Sequence, residues 1–194
     1  MQHTGRAAFF HSALLHFVRI AIGFGLIATH VVAPAQSVIR IVPQSNLQVL
    51  DPFWTTATVT RTHGYMIYDT LFSEDAQGQI KPQMVDTYET SRDGKTWSFK
   101  LRAGLEFHDG KPVTSEDVVA SLKRWTSRDA MGGILATFID HYETPDANTF
   151  RLVLKEPCGI VLDALGKASS NVPFIIAARM PSACLRAASG TMPP

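Results

Sequence analysis

Between Thr96 and Arg102 apolar and polar residues alternate: Trp97, Phe99 and Leu101 are apolar, while Ser98, Lys100 and Arg102 are polar. A period of two places these sets on opposite faces of a strand. Arg92-Asp93-Gly94-Lys95 precedes it as turn chemistry, because Asp can bond its own backbone and Gly accepts positive φ. Leu105 and Phe107 repeat the alternation against Glu106 and His108, which predicts a short strand closed by an Asp109-Gly110 turn. The period then changes. Val118, Leu122 and Trp125 stand at i, i+4 and i+7, with Val119 widening the stripe, and Glu116, Lys123 and Arg124 lie elsewhere on the wheel. Thr114 is a good N-cap, and Asp117 completes a capping-box pattern near the helix's positive end. Met84 to Trp125 therefore reads as hairpin, short strand, turn and capped amphipathic helix.

The flanking pattern extends this core. Val38 to Val42 predicts a first strand that Pro43 ends, and Leu50-Asp51-Pro52 opens a loop, since a residue before proline is pushed out of helical geometry. Tyr65, Met66 and Leu71-Phe72 predict an apolar-faced helix over about Val59 to Leu71, with His63 on its surface, followed by a polar turn from Ser73 to Gln79. After Trp125, Ser127 to Gly133 reads as a loop centred on Gly132-Gly133, and Ile134 to Ile139 as a short apolar run. A second hairpin joins Ile139–Thr144 to Phe150–Lys155 through Asp146-Ala147-Asn148, and Pro157 stops it because proline cannot donate to a ladder. Ile160 to Leu165 predicts a short helix and Val172 to Ala178 a buried strand. Strands and helices mixed in this order give an α+β (mixed α/β) class.

Residues 1–35 form a separate unit. Arg6 and Arg19 are its only basic Lys/Arg residues, it has no acid, and Ile20 to Val32 is apolar apart from Thr29 and His30. Ala33-Pro34-Ala35 fits a small-x-small cleavage pattern, so a secretory signal peptide cleaved after Ala35 is expected. A membrane anchor fits less well: a helix over Ile20 to Val32 spans about 20 Å against a bilayer core of about 30 Å. The expected destination is the periplasm. No cysteine stands at the cleavage site, which argues against a lipoprotein.

Charge and cysteines narrow the function by exclusion. Removing Arg6 and Arg19 from the 18 basic residues leaves 16 against 17 acidic ones, a near-neutral surface with no footprint for nucleic acid. Cys158 and Cys184 are too few for a disulfide scaffold and show no metal-ligand spacing. Export would permit their pairing, but Cys158, after a proline at a strand end, reads instead as a small buried hydrophobe. No nucleophile elbow surrounds any serine, and His108-Asp109 reads as part of a turn, because neighbouring residues there point in different directions. Asp86, Glu89, Glu106 and Asp109 read as solvated carboxylates. The chain is not expected to be an enzyme, nor to carry a metal or cofactor.

Five threonines between Thr55 and Thr62 admit two readings. One is a polar loop and helix entry, where Ser and Thr favour caps and turns. The other is a cleft wall in which Phe53, Trp54, Thr55 and Thr56 stack on and hydrogen-bond a small ligand.

Ser91 to Trp97, Phe99 to Arg102, Phe107 to Pro112 and Thr114 to Val119, in that order, resemble the signature region of family 5 extracellular solute-binding proteins. Tyr68 to Phe72 and Phe150 to Pro157 are similar to the same family, and the likeness runs from about Val38 to Met180. These are periplasmic peptide and nickel receptors of ATP-binding cassette importers. The resemblance implies a two-lobed clamshell, of which residues 36–180 supply an incomplete first lobe. It also implies a peptide or other small solute as ligand, permease subunits in the inner membrane as partners, and Phe53, Trp54, Thr55, Thr56 and Asn171 as ligand-facing positions. From Pro181 the chain loses its hydrophobic period and its family likeness, and it is expected to be a frame-shifted or prematurely terminated tail. The expected alternatives are a truncated receptor remnant without transport activity and, less supported, a small exported hydrolase.

Overall fold

The computed structural model describes residues 40–180. The signal peptide expected over 1–35, the tail 181–194 and Cys184 lie outside the described residues.

A four-stranded antiparallel sheet organises the molecule. It comprises β4 (Val85–Thr90), β5 (Thr96–Leu101), β6 (Ile139–Asp146) and β7 (Thr149–Leu154), in the order β4-β5-β7-β6. The first hairpin forms where Asp93 and Gly94 predict it. Asp93 accepts hydrogen bonds from the Ser91 hydroxyl and the Lys95 N–H, and Gly94 sits at φ +69°. The alternation fixes the faces: Phe99 and Leu101 are buried, and Phe150, Leu152 and Leu154 supply the same face of β7. Phe99 lies opposite Phe150 in register, their rings stacked with centroids 4.9 Å apart.

Helix α2 (Ser115–Thr126) covers this face. Thr114 Oγ1 accepts from the Asp117 N–H and Asp117 Oδ2 accepts from the Thr114 N–H, so the capping box closes reciprocally. Val118, Leu122 and Trp125 are fully buried. Around this core stand α1 (Thr58–Ile67), the two-residue β1 (Asp69–Thr70), the hairpin β2 (Phe72–Glu74) and β3 (Ile80–Pro82), and α3 (Ala130–Phe138). The helix α4 (Val161–Gly166) and β8 (Phe174–Ile175), antiparallel to β1, complete it. Buried Cys158 keeps a free thiol.

Several expectations need correction. Residues 40–42 form no strand and are exposed, because no neighbour among the described residues pairs with them. The strand at Leu105 and Phe107 shrinks to a single bridge between Glu106 and Pro112, since Pro112 has no N–H with which to extend a ladder. The helix expected to reach Leu71 stops at Ile67, where Tyr68 turns extended and the chain enters β1. Its buried side is Thr60 and Gly64, whereas Tyr65 and Met66 are exposed. Gly64 permits this: a Cβ there would lie 2.7 Å from the Phe174 ring. His63, read as a surface residue, is half-buried, and its Nδ1 meets no partner among the described residues.

The loop expected around Gly132-Gly133 is the first turn of α3. Asp129 caps it by accepting from the Gly132 N–H at 2.8 Å, and a Cβ at Gly132 would press on Trp125 at 3.2 Å. The glycine answers a packing need rather than a turn. The buried run Val172–Ala177 pairs as a strand only at Phe174–Ile175. Beyond it, the Ser121 hydroxyl stands in for a neighbouring strand, donating to Ile176 O and accepting from Ile176 N, both at 2.9 Å.

Candidate functional site

The turn after Asp51 is fixed from three sides. Asp51 is buried; its Oδ1 accepts from the Phe53 N–H at 3.0 Å, and its Oδ2 pairs with Arg124 of α2. Proline at 52 presets the turn backbone. Thr60 on α1 donates to Val49 O at 2.9 Å, tying the entering chain to the helix. Asn171 closes the arrangement. Its Nδ2 donates to Pro52 O at 3.1 Å and to Thr55 O at 3.0 Å, while its own carbonyl accepts from Trp125 Nε1 at 2.8 Å.

The residues singled out in sequence thus come together, in different roles. Phe53 is 2% exposed, a core residue with the Arg124 guanidinium 5.2 Å over its ring, and it offers no ring face to a ligand. That corrects the picture of an exposed aromatic pair. Phe53 turns inward because the Asp51 cap and the Pro52 backbone aim it at the core. Asn171 is likewise buried, its amide spent on the turn. Trp54 stays 46% exposed, Thr55 is half-buried and Thr56 is exposed. The Thr55 hydroxyl accepts from the Ala57 N–H at 3.2 Å just before α1, so the polar-entry reading of the threonines holds there. Arg128, beyond the end of α2, stacks on Trp54 with its guanidinium carbon 4.4 Å from the ring centroid. Nothing in the spacing of Trp54 and Arg128, 74 positions apart, signals this contact.

A separate groove of about 960 Å³ is lined by Tyr65, Tyr68, Met84, Phe107, Val113 and Ile175, among others, and includes none of the five residues above. Arg179 and Asp109 form an ion pair at 2.7 Å at its edge. Arg179 also lies 5.0 Å over the Phe107 ring. The Asp109 carboxyl is held below its usual range despite the opposing effect of desolvation, through hydrogen bonds from Arg179 and Lys111 and the charge of Arg179. His108-Asp109 is thus a turn with an outward ion pair. Among the described residues no cluster of three His, Cys, Asp or Glu side chains is placed to hold a metal ion. No described helix is long and apolar enough to cross a membrane.

The family model for bacterial extracellular solute-binding proteins, family 5 Middle, matches residues 79–186, more than half of the chain. A "Probable peptide ABC transporter periplasmic-binding protein" of Sinorhizobium fredii is 46% identical over 131 residues, 68% of this chain and 24% of its own length. The glutathione-binding protein GsiB of Escherichia coli is 28% identical over 152 residues, 76% of this chain and 29% of its own. The chain thus spans about a quarter of the length of these relatives. The PBP AgaA of A. tumefaciens R10, solved in complex with agropinic acid, is 31% identical with a TM-score of 0.58, over 75% of this chain and 28% of that one. OppA of Haemophilus influenzae superposes with a TM-score of 0.57 at 20% identity, over 74% of this chain and 30% of that one, a likeness of fold alone. The helices and sheet described above are therefore part of a periplasmic binding protein fold, and the chain belongs to family 5 of the bacterial extracellular solute-binding proteins.

Proposed function

We propose that this chain contributes one wall of a receptor that captures a peptide-like solute in the periplasm and delivers it to the permease subunits of an ATP-binding cassette importer. It acts by binding, without catalysis. The 46% identity with a relative named for peptide transport carries the reading. The relatives named for glutathione and agropinic acid add a chemical class, since these ligands, like peptides, carry free carboxylates. Export through residues 1–35, cleavage after Ala35 and a solute-binding segment over 36–180 belong to the same proposal.

Within this reading the ligand-facing surface is Trp54, Thr55 and Thr56, with Phe53 and Asn171 as its supports. A flat aromatic and neighbouring hydroxyls, held on a turn that does not need to reorganise, suit a small polar solute. Thermal unfolding of the chain from Gln36, with and without a mixture of short peptides, tests it. A ligand that binds only the folded state raises the transition temperature. No shift at millimolar peptide contradicts the proposal.

A further inference from the structure

We infer that Arg128, stacked on Trp54, is the group that takes the carboxylate of the solute. The inference rests on the solute-binding reading above and adds to it a specific anchor.

Three observations carry it. First, Arg128 is exposed and makes no ion pair among the described residues, which is also true of Arg92, but Arg128 alone of the two lies over an aromatic ring; Arg124, Arg151 and Arg179 are each committed to a carboxylate. The adjacent acid cannot serve it: Asp129 is buried, capping α3 through Gly132 and pairing with Lys167 at 2.6 Å. Second, the guanidinium carbon lies over the Trp54 ring, 4.4 Å from its centroid, a cation–π contact that holds the group in place. A cation–π contact uses none of the guanidinium's N–H donors in a hydrogen bond, and their fork matches a carboxylate in bidentate fashion. Third, both members of the pair stand on fixed backbone. Trp54 rides on the turn held by Asp51 and Asn171, and the Arg128 N–H donates to Trp125 O at 2.9 Å at the end of α2. A side chain already restrained by stacking loses less freedom on binding than a free one.

The neighbourhood favours an anion. Arg124, four positions earlier on α2, is already paired with Asp51, so no unbalanced acid from that pair opposes a carboxylate here. Thr56, two residues beyond Trp54, is exposed. A solute whose carboxylate meets Arg128 would lay its adjoining chain along the exposed part of Trp54 and Thr56.

Isothermal titration of the full chain with tri-alanine and with tri-alanine amide, in wild type and in Arg128→Gln, tests the inference. Wild type should bind the acid roughly tenfold more tightly than the amide, the scale of one hydrogen bond to a charged group. Arg128→Gln should bring the acid down to the amide's affinity and leave the amide unchanged. An Arg128→Gln protein that keeps the preference for the acid, or that loses both ligands equally, overturns the assignment of Arg128 while solute binding by the chain stands. Binding of neither probe by wild type overturns both. Since Arg128 is exposed, the variant should match wild type in circular dichroism and melting, which separates lost recognition from lost fold.

Discussion

The hairpin Val85–Leu101 and the helix Thr58–Ile67 are built by opposite rules. In the hairpin, large apolar residues alternate and the buried face is the large one: Phe99 and Leu101 are 0% and 2% exposed. In the helix, the large residues Tyr65 and Met66 stand 47% and 61% exposed, and the buried positions are Thr60 and Gly64. A sheet face has to fill a thick layer beneath a covering helix, which takes volume. The helix approaches Phe174 closely, which takes the lack of it. Apolar size therefore predicts burial for Phe99 and Leu101 on β5, though Tyr88 on β4 stays 42% exposed, and it fails throughout the helix.

The contrast can be broken by substitution. Phe99→Ala should cost about 3–5 kcal/mol, a large share of a domain's stability, because its ring fills the space against Phe150 and Phe72. Met66→Ala, a comparable loss of apolar volume, should stay within about 0.5 kcal/mol. Urea denaturation of both variants measures the difference, and similar costs would erase the distinction. Gly64→Ala should destabilise by about 1–3 kcal/mol even though alanine is the better helix former, because its Cβ meets the Phe174 ring. A stabilised Gly64→Ala protein would show that the helix does not approach so closely.

These differences explain what sequence alone reveals. The two hairpins and the capped helix are legible because period, turn residue and cap agree locally: Gly94 takes positive φ, and Thr114 and Asp117 close their box. Helix α3 is illegible because Gly132 looks like a breaker until Trp125 is seen beside it. The candidate site is half legible. Trp54, Thr55 and Thr56 follow from the loop after Asp51, but the inward turn of Phe53 depends on Asp51 and Arg124, 73 positions apart. Arg128 is beyond any local signal, since its contact with Trp54 depends on how α2 ends.

Smaller effects sharpen the account of the hairpin core. Thr114→Ala removes the capping box and should cost about 1 kcal/mol, read from the same denaturation series. On the outer strand β6, hydrogen bonds to Asp140 and then Glu143 raise the His141 pKa above 6.5. A raised folded-state pKa makes this contribution complete below the unfolded value, and it is lost as pH rises through the folded one. Titration of the His141 ring by NMR should give a midpoint above 6.5 that falls in Asp140→Asn. An unchanged midpoint would remove Asp140 from that role.

Amide NMR of the isotopically labelled full chain, titrated with tri-alanine, tests most directly whether the turn after Asp51 meets the solute. The account predicts shifts at Trp54, Thr55, Thr56 and Arg128, with Met84, Phe107 and Ile175 in the apolar groove unmoved. Shifts confined to the groove, or none at the turn at saturating peptide, would contradict it.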